Sequence, residues 1–183
     1  MKKFGKCAQW FQWISEQFIE NKIVDYPKPL FLEDYRVIAF DASDVVEKSR
    51  SGQIYRLHYG IDIFKMSSVS HTITKTNIGE KLQNFILTKG DLAVGYRAYG
   101  TISGINYCID SKADYILRLR AKCFAMYNEY GDRIDIISQL SGLDYEASRD
   151  FTVFIKNNDG ELIPIRICAK AMILHYRGSM EKL

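Results

Sequence analysis

Asp91-Leu92-Ala93-Val94-Gly95-Tyr96-Arg97-Ala98-Tyr99-Gly100 is a short apolar run that opens into a polar loop. Leu92-Ala93-Val94 has the continuous apolarity of a strand covered on both faces. A second stretch, Tyr35-Arg36-Val37-Ile38-Ala39-Phe40-Asp41-Ala42-Ser43, has the same form. Its apolar run, 37–40, delivers the carboxylate of Asp41 directly at its tip. Two such strands belong at the centre of a sheet in an α/β protein.

The pattern around them fills in the rest. Ile54 to Phe64 is rich in β-branched and aromatic residues and predicts a long strand. Ser49-Arg50-Ser51-Gly52 is the turn before it. Val69 to Thr74 alternates and predicts a third strand, so the first three form an antiparallel meander. Asn77 with Glu80 three residues on, then Ile78, Leu82, Phe85 and Ile86, predict a capped helix. Thr101 to Ile109 predicts another helix, and Tyr115-Ile116-Leu117 another strand. Upstream, Trp10, Phe11, Ile14, Phe18 and Ile19 share one helical face, and Tyr26-Pro27-Lys28-Pro29 reads as a linker. Past 120 the pattern becomes two hairpins. Cys123–Tyr127 and Ile134–Ile137 flank Asn128–Asp132. Phe151–Ile155 and Leu162–Ile167 flank Asn157-Asn158-Asp159-Gly160, where Asp-Gly is a strong turn signal. Ala169 to Tyr176 predicts a further strand.

With 183 residues, 47% hydrophobic and 26% charged, the chain can bury a core and is not a disordered tail. No apolar run is long enough to span a bilayer. Gln9, Gln12, Glu16 and Gln17 interrupt the basic N-terminus too early for a signal peptide. The expectation is a cytoplasmic protein without membrane partners. Cys7, Cys108, Cys123 and Cys168 are scattered, with no Cys-x-x-Cys pair, and predict reduced, mostly buried thiols. The net charge is +3, and the whole excess lies within 35–118, which holds eleven basic and eight acidic side chains. A mild basic bias fits a nucleic-acid surface.

Two-metal DNA-cutting enzymes hold divalent ions with a few carboxylates on adjacent central strands. Asp41 fits that role as metal ligand and catalytic residue. It is also placed to start a turn or to cap a backbone amide. Asp44 reads as an exposed turn acid, Asp91 as the start of its strand, and Glu80 as a cap or surface residue. His58 and His71 read as strand residues with ordinary hydrogen bonds. Arg97 lies in the loop after the short strand, where it can contact phosphate or form a structural ion pair. Arg118 and Arg120 alternate with Leu117 and Leu119 and share one face, near DNA or simply solvated.

Several short segments, in order, carry a family resemblance. They are Asp41-Ala42-Ser43, Arg56 to Asp62, Gly79-Glu80, Gly90-Asp91 leading to Arg97-Ala98-Tyr99-Gly100, and Ala113-Asp114-Tyr115 to Arg120. Over about 35–175 the chain resembles DDE transposases of bacterial insertion sequences, in the large group with a β-rich insertion in a ribonuclease-H-like core. The resemblance implies an α/β fold: a ribonuclease-H-like mixed sheet with flanking helices, interrupted by a small, mostly β insertion. It divides the chain into an N-terminal helix and linker (1–34), the first part of the core (35–120), the insertion (121–175) and a tail (176–183). It implies Mg2+ or Mn2+ at Asp41, and DNA contact through Arg97, Arg118 and Arg120. The partner would be double-stranded DNA at transposon ends, bound by a homodimer or by pairing with an intact transposase.

Two departures stand against full activity. Tyr96 occupies the position of the family's second metal-binding aspartate, and a phenol is neutral near pH 7. The third carboxylate belongs to a Tyr…Arg…Glu…Lys helix. The tail, His175 to Leu183, has those residue types at the wrong spacing, so Glu181 is a weak match. The expectation is a truncated, degenerate copy that binds its metal poorly and is inactive alone. Two other readings stay open: a non-catalytic module that binds DNA or pairs with a transposase, and a relic that barely folds.

Overall fold

The computed structural model describes residues 25–46, 54–119 and 125–171, and positions 10, 13, 14 and 17 in a helical N-terminal segment. The chain divides into two compact units, Met1–Arg120 and Ala121–Leu183.

The first unit is built on a five-stranded mixed sheet in the order β3-β2-β1-β4-β5. Its strands are β1 (Arg36–Val46), β2 (Ile54–Asp62), β3 (Ser67–Lys75), β4 (Asp91–Gly95) and β5 (Asp114–Leu117). The first three form the expected meander, and β1, β4 and β5 run parallel. Parallel strands need a crossover, which helix α1 (Ile102–Asp110) supplies between β4 and β5. Thr101 caps α1 by accepting from the Gly104 amide at 3.1 Å.

One face of this sheet carries the core. Phe40 meets Phe85 at 4.5 Å between ring centroids, and Tyr99 closes the cluster at 6.4 Å from both. Ile38, Leu82, Ala93 and Cys108 complete it. Gly60 makes room across the β1–β2 pair, since a Cβ there would stand 2.8 Å from Phe40 Cε1. His58 is fully buried in the same layer, bonded to Thr74 Oγ1 at 2.9 Å and to Asn84 at 3.3 Å. Burial lowers its pKa, which favours the neutral ring. The expectation of an ordinary hydrogen-bonded strand histidine holds.

Two expectations need correction. The helix predicted from Asn77 is only a 3-10 turn, Leu82–Asn84. Leu82, Phe85 and Leu87 are buried while Ile86 is 82% exposed, so alternate residues are drawn into the core from extended backbone. The Asn84 side chain donates to Gly79 O at 2.9 Å, a local bond that competes with a helical ladder. Strand β1 also does not end at Phe40. It continues six residues further, held by β2 from Asp41↔Tyr59 to Val46↔Ile54. The 49–52 turn and most of the 7–21 helix lie outside the described residues.

The second unit is a four-stranded antiparallel sheet in the order β7-β6-β8-β9. Its strands are β6 (Met126–Tyr127), β7 (Arg133–Ile134), β8 (Ser148–Lys156) and β9 (Leu162–Lys170). Both predicted hairpins form; β8 is longer than expected at both ends, and β9 starts at Leu162 as expected but runs on to Lys170. The strand expected through Ile137 stops at Ile134, because Asp135 caps a short helix, α2 (Ile136–Leu140), through the Ile137 amide. Residues beyond 171, including most of the strand expected to Tyr176, lie outside the described residues. Met126, Val153, Ile155, Ile165 and Ile167 are buried on one face with Ile136 of α2. Cys108 is buried as expected, its thiol pushed up to about 12 by burial, whereas Cys168 is exposed. No helix among the described residues is long and apolar enough to cross a membrane.

Candidate functional site

Parallel strands in register bring their C-terminal tips together. Phe40 is paired with Gly95, and Gly95 with Leu117. The next residues along are Asp41, Tyr96 and Arg118. They line an open groove of about 660 Å³ whose floor includes Ala39 and Val94. The β4 pairing ends at Phe40, so Asp41 stands where β1 first loses its parallel neighbour. Asp41 is therefore not at the end of its strand, as expected, but at the end of the parallel part of it.

The half-buried Asp41 carboxylate is already engaged. Oδ2 accepts from the Tyr59 hydroxyl at 3.0 Å and Oδ1 from the Ala42 amide at 2.8 Å. Tyr59 was not singled out in the sequence. Only the antiparallel register, Asp41↔Tyr59, brings it into place. Tyr96 is 43% exposed and stands edge-on to Tyr99, with ring centroids 5.5 Å apart. Its hydroxyl donates to the Glu80 carboxylate. That bond holds the phenol protonated and, with burial, pushes its pKa up to about 12. Glu80 is therefore neither helix cap nor idle surface acid. Arg56 pairs with Asp44 through Nε at 2.7 Å and Nη2 at 3.2 Å, and holds Asp44 below the usual carboxylate range. Asp44 lies within β1 rather than in a turn.

Arg97 is exposed in the turn closed by the Tyr99 amide on Tyr96 O. Arg118 is exposed beside the groove, its backbone held by a 3.0 Å bond from its amide to Gly95 O. Arg120 and Glu181 lie outside the described residues. Asp91 sits at the start of β4, at the opposite end of that strand from Tyr96, bonded to Arg36.

A two-metal cage needs several carboxylates converging on one space. Among the described residues no three His, Cys, Asp or Glu side chains converge in that way. Asp41 accepts from the Tyr59 hydroxyl and the Ala42 amide, and Glu80 accepts from Tyr96. The described residues do not make the two-metal cage that the resemblance implies. What the groove's lining offers is one carboxylate, Asp41, one phenol, Tyr96, and one arginine, Arg118, beside Ala39, Phe40, Val94 and Gly95.

No protein-family model matches the chain. The chain is similar to insertion-sequence transposases. It is 25% identical over 184 residues to the transposase for insertion sequence element IS421 of Escherichia coli, and equally to the InsL protein of insertion sequence element IS186A of Escherichia coli (strain K12). Each alignment takes in 94% of this chain but 47% of the relative, so the chain spans about half the length of the curated relatives it matches.

Proposed function

We propose that this chain derives from a DDE transposase with a ribonuclease-H-like core, and binds the DNA of insertion-sequence ends without cleaving it alone. The similarity to transposases supports the lineage. The mixed sheet, with β1, β4 and β5 parallel, supports the core assignment. One observation carries the functional reading: the ends of the parallel β1–β4–β5 pairing bring Asp41, Tyr96 and Arg118 to one groove. Asp41 is a metal carboxylate, Tyr96 stands in place of its partner, and Arg97, Arg118 and Arg120 meet phosphate. A neutral phenol bonded to Glu80 cannot share a divalent ion with Asp41, and one carboxylate holds Mg2+ or Mn2+ weakly. Such a chain acts as a DNA-binding module, alone as a dimer or paired with an intact transposase.

The test compares the wild-type chain with Tyr96→Asp. Wild type is expected to bind duplex DNA in EDTA and to lose affinity as salt rises. Arg118→Ala should weaken binding across all sequences and reduce the salt slope by roughly one. Calorimetric titration with Mn2+ should give no heat for wild type and measurable binding for Tyr96→Asp. Nicking of DNA by wild type with Mg2+, abolished in Asp41→Ala, would overturn the proposal.

A further inference from the structure

The second unit's sheet buries Met126, Val153, Ile155, Ile165 and Ile167 on one face and carries mostly exposed residues on the other. The register assigns that outer face without ambiguity. Arg133 is paired with Tyr127, Tyr127 with Phe154, and Phe154 with Pro164. These four side chains therefore form one row straight across β7, β6, β8 and β9. Residues two apart on a strand share its face, so Lys156 and Thr152 flank Phe154 there. Lys156 confirms the assignment, because its Nζ sits 4.9 Å from the Tyr127 ring centroid. Arg166 and Lys170 join through their partners Thr152 and Ser148.

The composition of this face is unusual for a solvent side. Two aromatic rings, Tyr127 and Phe154, stand half-exposed as direct cross-strand neighbours. Around them are four cations on the strands, Arg133, Lys156, Arg166 and Lys170, all exposed. The strands carry one carboxylate on this face, Asp150, and it is spent on Arg166 through bonds of 2.9 Å to Arg166 Nε. Neither ring is needed for the core, which the other face supplies. Flat rings beside cations are what an unpaired base and its phosphates need. Stacking takes any base by its π-face, and cations track the backbone. A duplex hides its base faces, so the rings favour a single strand.

We infer that the outer face of this sheet binds single-stranded DNA, with Phe154 and Tyr127 as the stacking platform and Arg133 and Lys156 as phosphate contacts. This site is separate from the Asp41 groove and does not depend on the reading given to that groove.

The experiment measures fluorescence anisotropy of a labelled oligothymidylate, and of its duplex with oligoadenylate, titrated with the full chain in EDTA. The single strand should bind more tightly than the duplex. Phe154→Ala should weaken single-strand binding roughly tenfold. Phe154→Leu keeps the apolar bulk but loses the ring, and should fall in the same way while melting like wild type. Arg133→Ala and Lys156→Ala should each reduce the salt slope by about 0.7. Lys89→Ala, at an exposed cation of the other unit that lies in neither site, should leave oligothymidylate affinity unchanged. The proposal is overturned if Phe154→Leu binds like wild type, or if duplex and single strand bind alike and depend on Arg118 alone.

Discussion

Asp91→Ala is expected to lower the unfolding free energy by about 3 kcal/mol, read as a shift in the urea midpoint at unchanged slope. The carboxylate is 2% exposed and accepts from four donors. Arg36 Nε and Nη2 reach it at 2.7 and 2.9 Å, and the Thr88 amide and hydroxyl at 2.8 and 3.1 Å. Burial alone would push its pKa up. The Arg36 guanidinium and the Thr88 donors outweigh that, so the folded-state pKa is depressed. A depressed carboxylate contributes stability that is present above its unfolded pKa and lost as pH falls through the folded one. The window therefore opens below the ordinary value of 3.8. Wild type should lose stability there and Asp91→Ala should lose less, so the two curves converge in acid. The Arg36 side chain is 44% exposed and regains water when Asp91 is removed, which keeps the cost below that of a fully buried pair. The same pair pins β4 to β1 at Arg36↔Asp91, and that register sets Tyr96 beside Asp41 five residues later. A loss under 1 kcal/mol, or curves that stay parallel to low pH, would sink this account.

His58 adds a second, milder acid sensitivity. Its pKa is lowered, mainly by burial, so its contribution is present above the ordinary 6.5 and is lost as pH falls below it. His58→Gln should flatten the stability profile below about pH 6.5. An unchanged profile in that range would show that the ring is not protonated on unfolding there.

The strands of the first unit were legible because burial on two faces leaves an uninterrupted apolar run, as at 37–40 and 92–94. The β8–β9 hairpin was legible because Asp159-Gly160 supplies the positive φ its turn needs, with Gly160 at +83°. The segment 77–86 misled because Ile78, Leu82, Phe85 and Ile86 satisfy a helical period. Their burial is instead decided by the pockets under Phe40 and His58, which tertiary packing creates and no local pattern records. Asp41 was legible as a candidate, but its hydrogen-bond partner was not. Tyr59 lies 18 residues away and is selected by strand register alone. Glu80 was assigned to a helix cap for the same reason that the helix was predicted. Its true partner, Tyr96, comes from the tip of a parallel strand.

Gly100→Ala is expected to cost at least about 3 kcal/mol, the upper end for overpacking, because the obstacle is backbone. A Cβ at Gly100 would stand 2.2 Å from the carbonyl oxygen of Arg118 and 3.1 Å from its carbonyl carbon. A side chain could swing aside, but this carbonyl follows β5 directly and cannot. Its residue is fastened to β4 by the Arg118 amide on Gly95 O at 3.0 Å. Relief requires the chain after Leu117 to move out, which breaks that bond and carries Arg118 away from the groove beside Asp41. The variant should therefore show two losses together: a lower melting temperature, and duplex binding in the cold reduced as far as in Arg118→Ala. Gly79→Ala is the control. Its Cβ would meet nothing nearer than Lys81 Cε at 3.8 Å and its φ is not positive, so it should melt within about 0.5 kcal/mol of wild type. Full stability in Gly100→Ala would mean that β5 does not lie against the Tyr99–Gly100 turn, and the row of Asp41, Tyr96 and Arg118 would fall with it. Lost stability with intact duplex binding would keep the fold but remove Arg118 from the DNA-contacting surface.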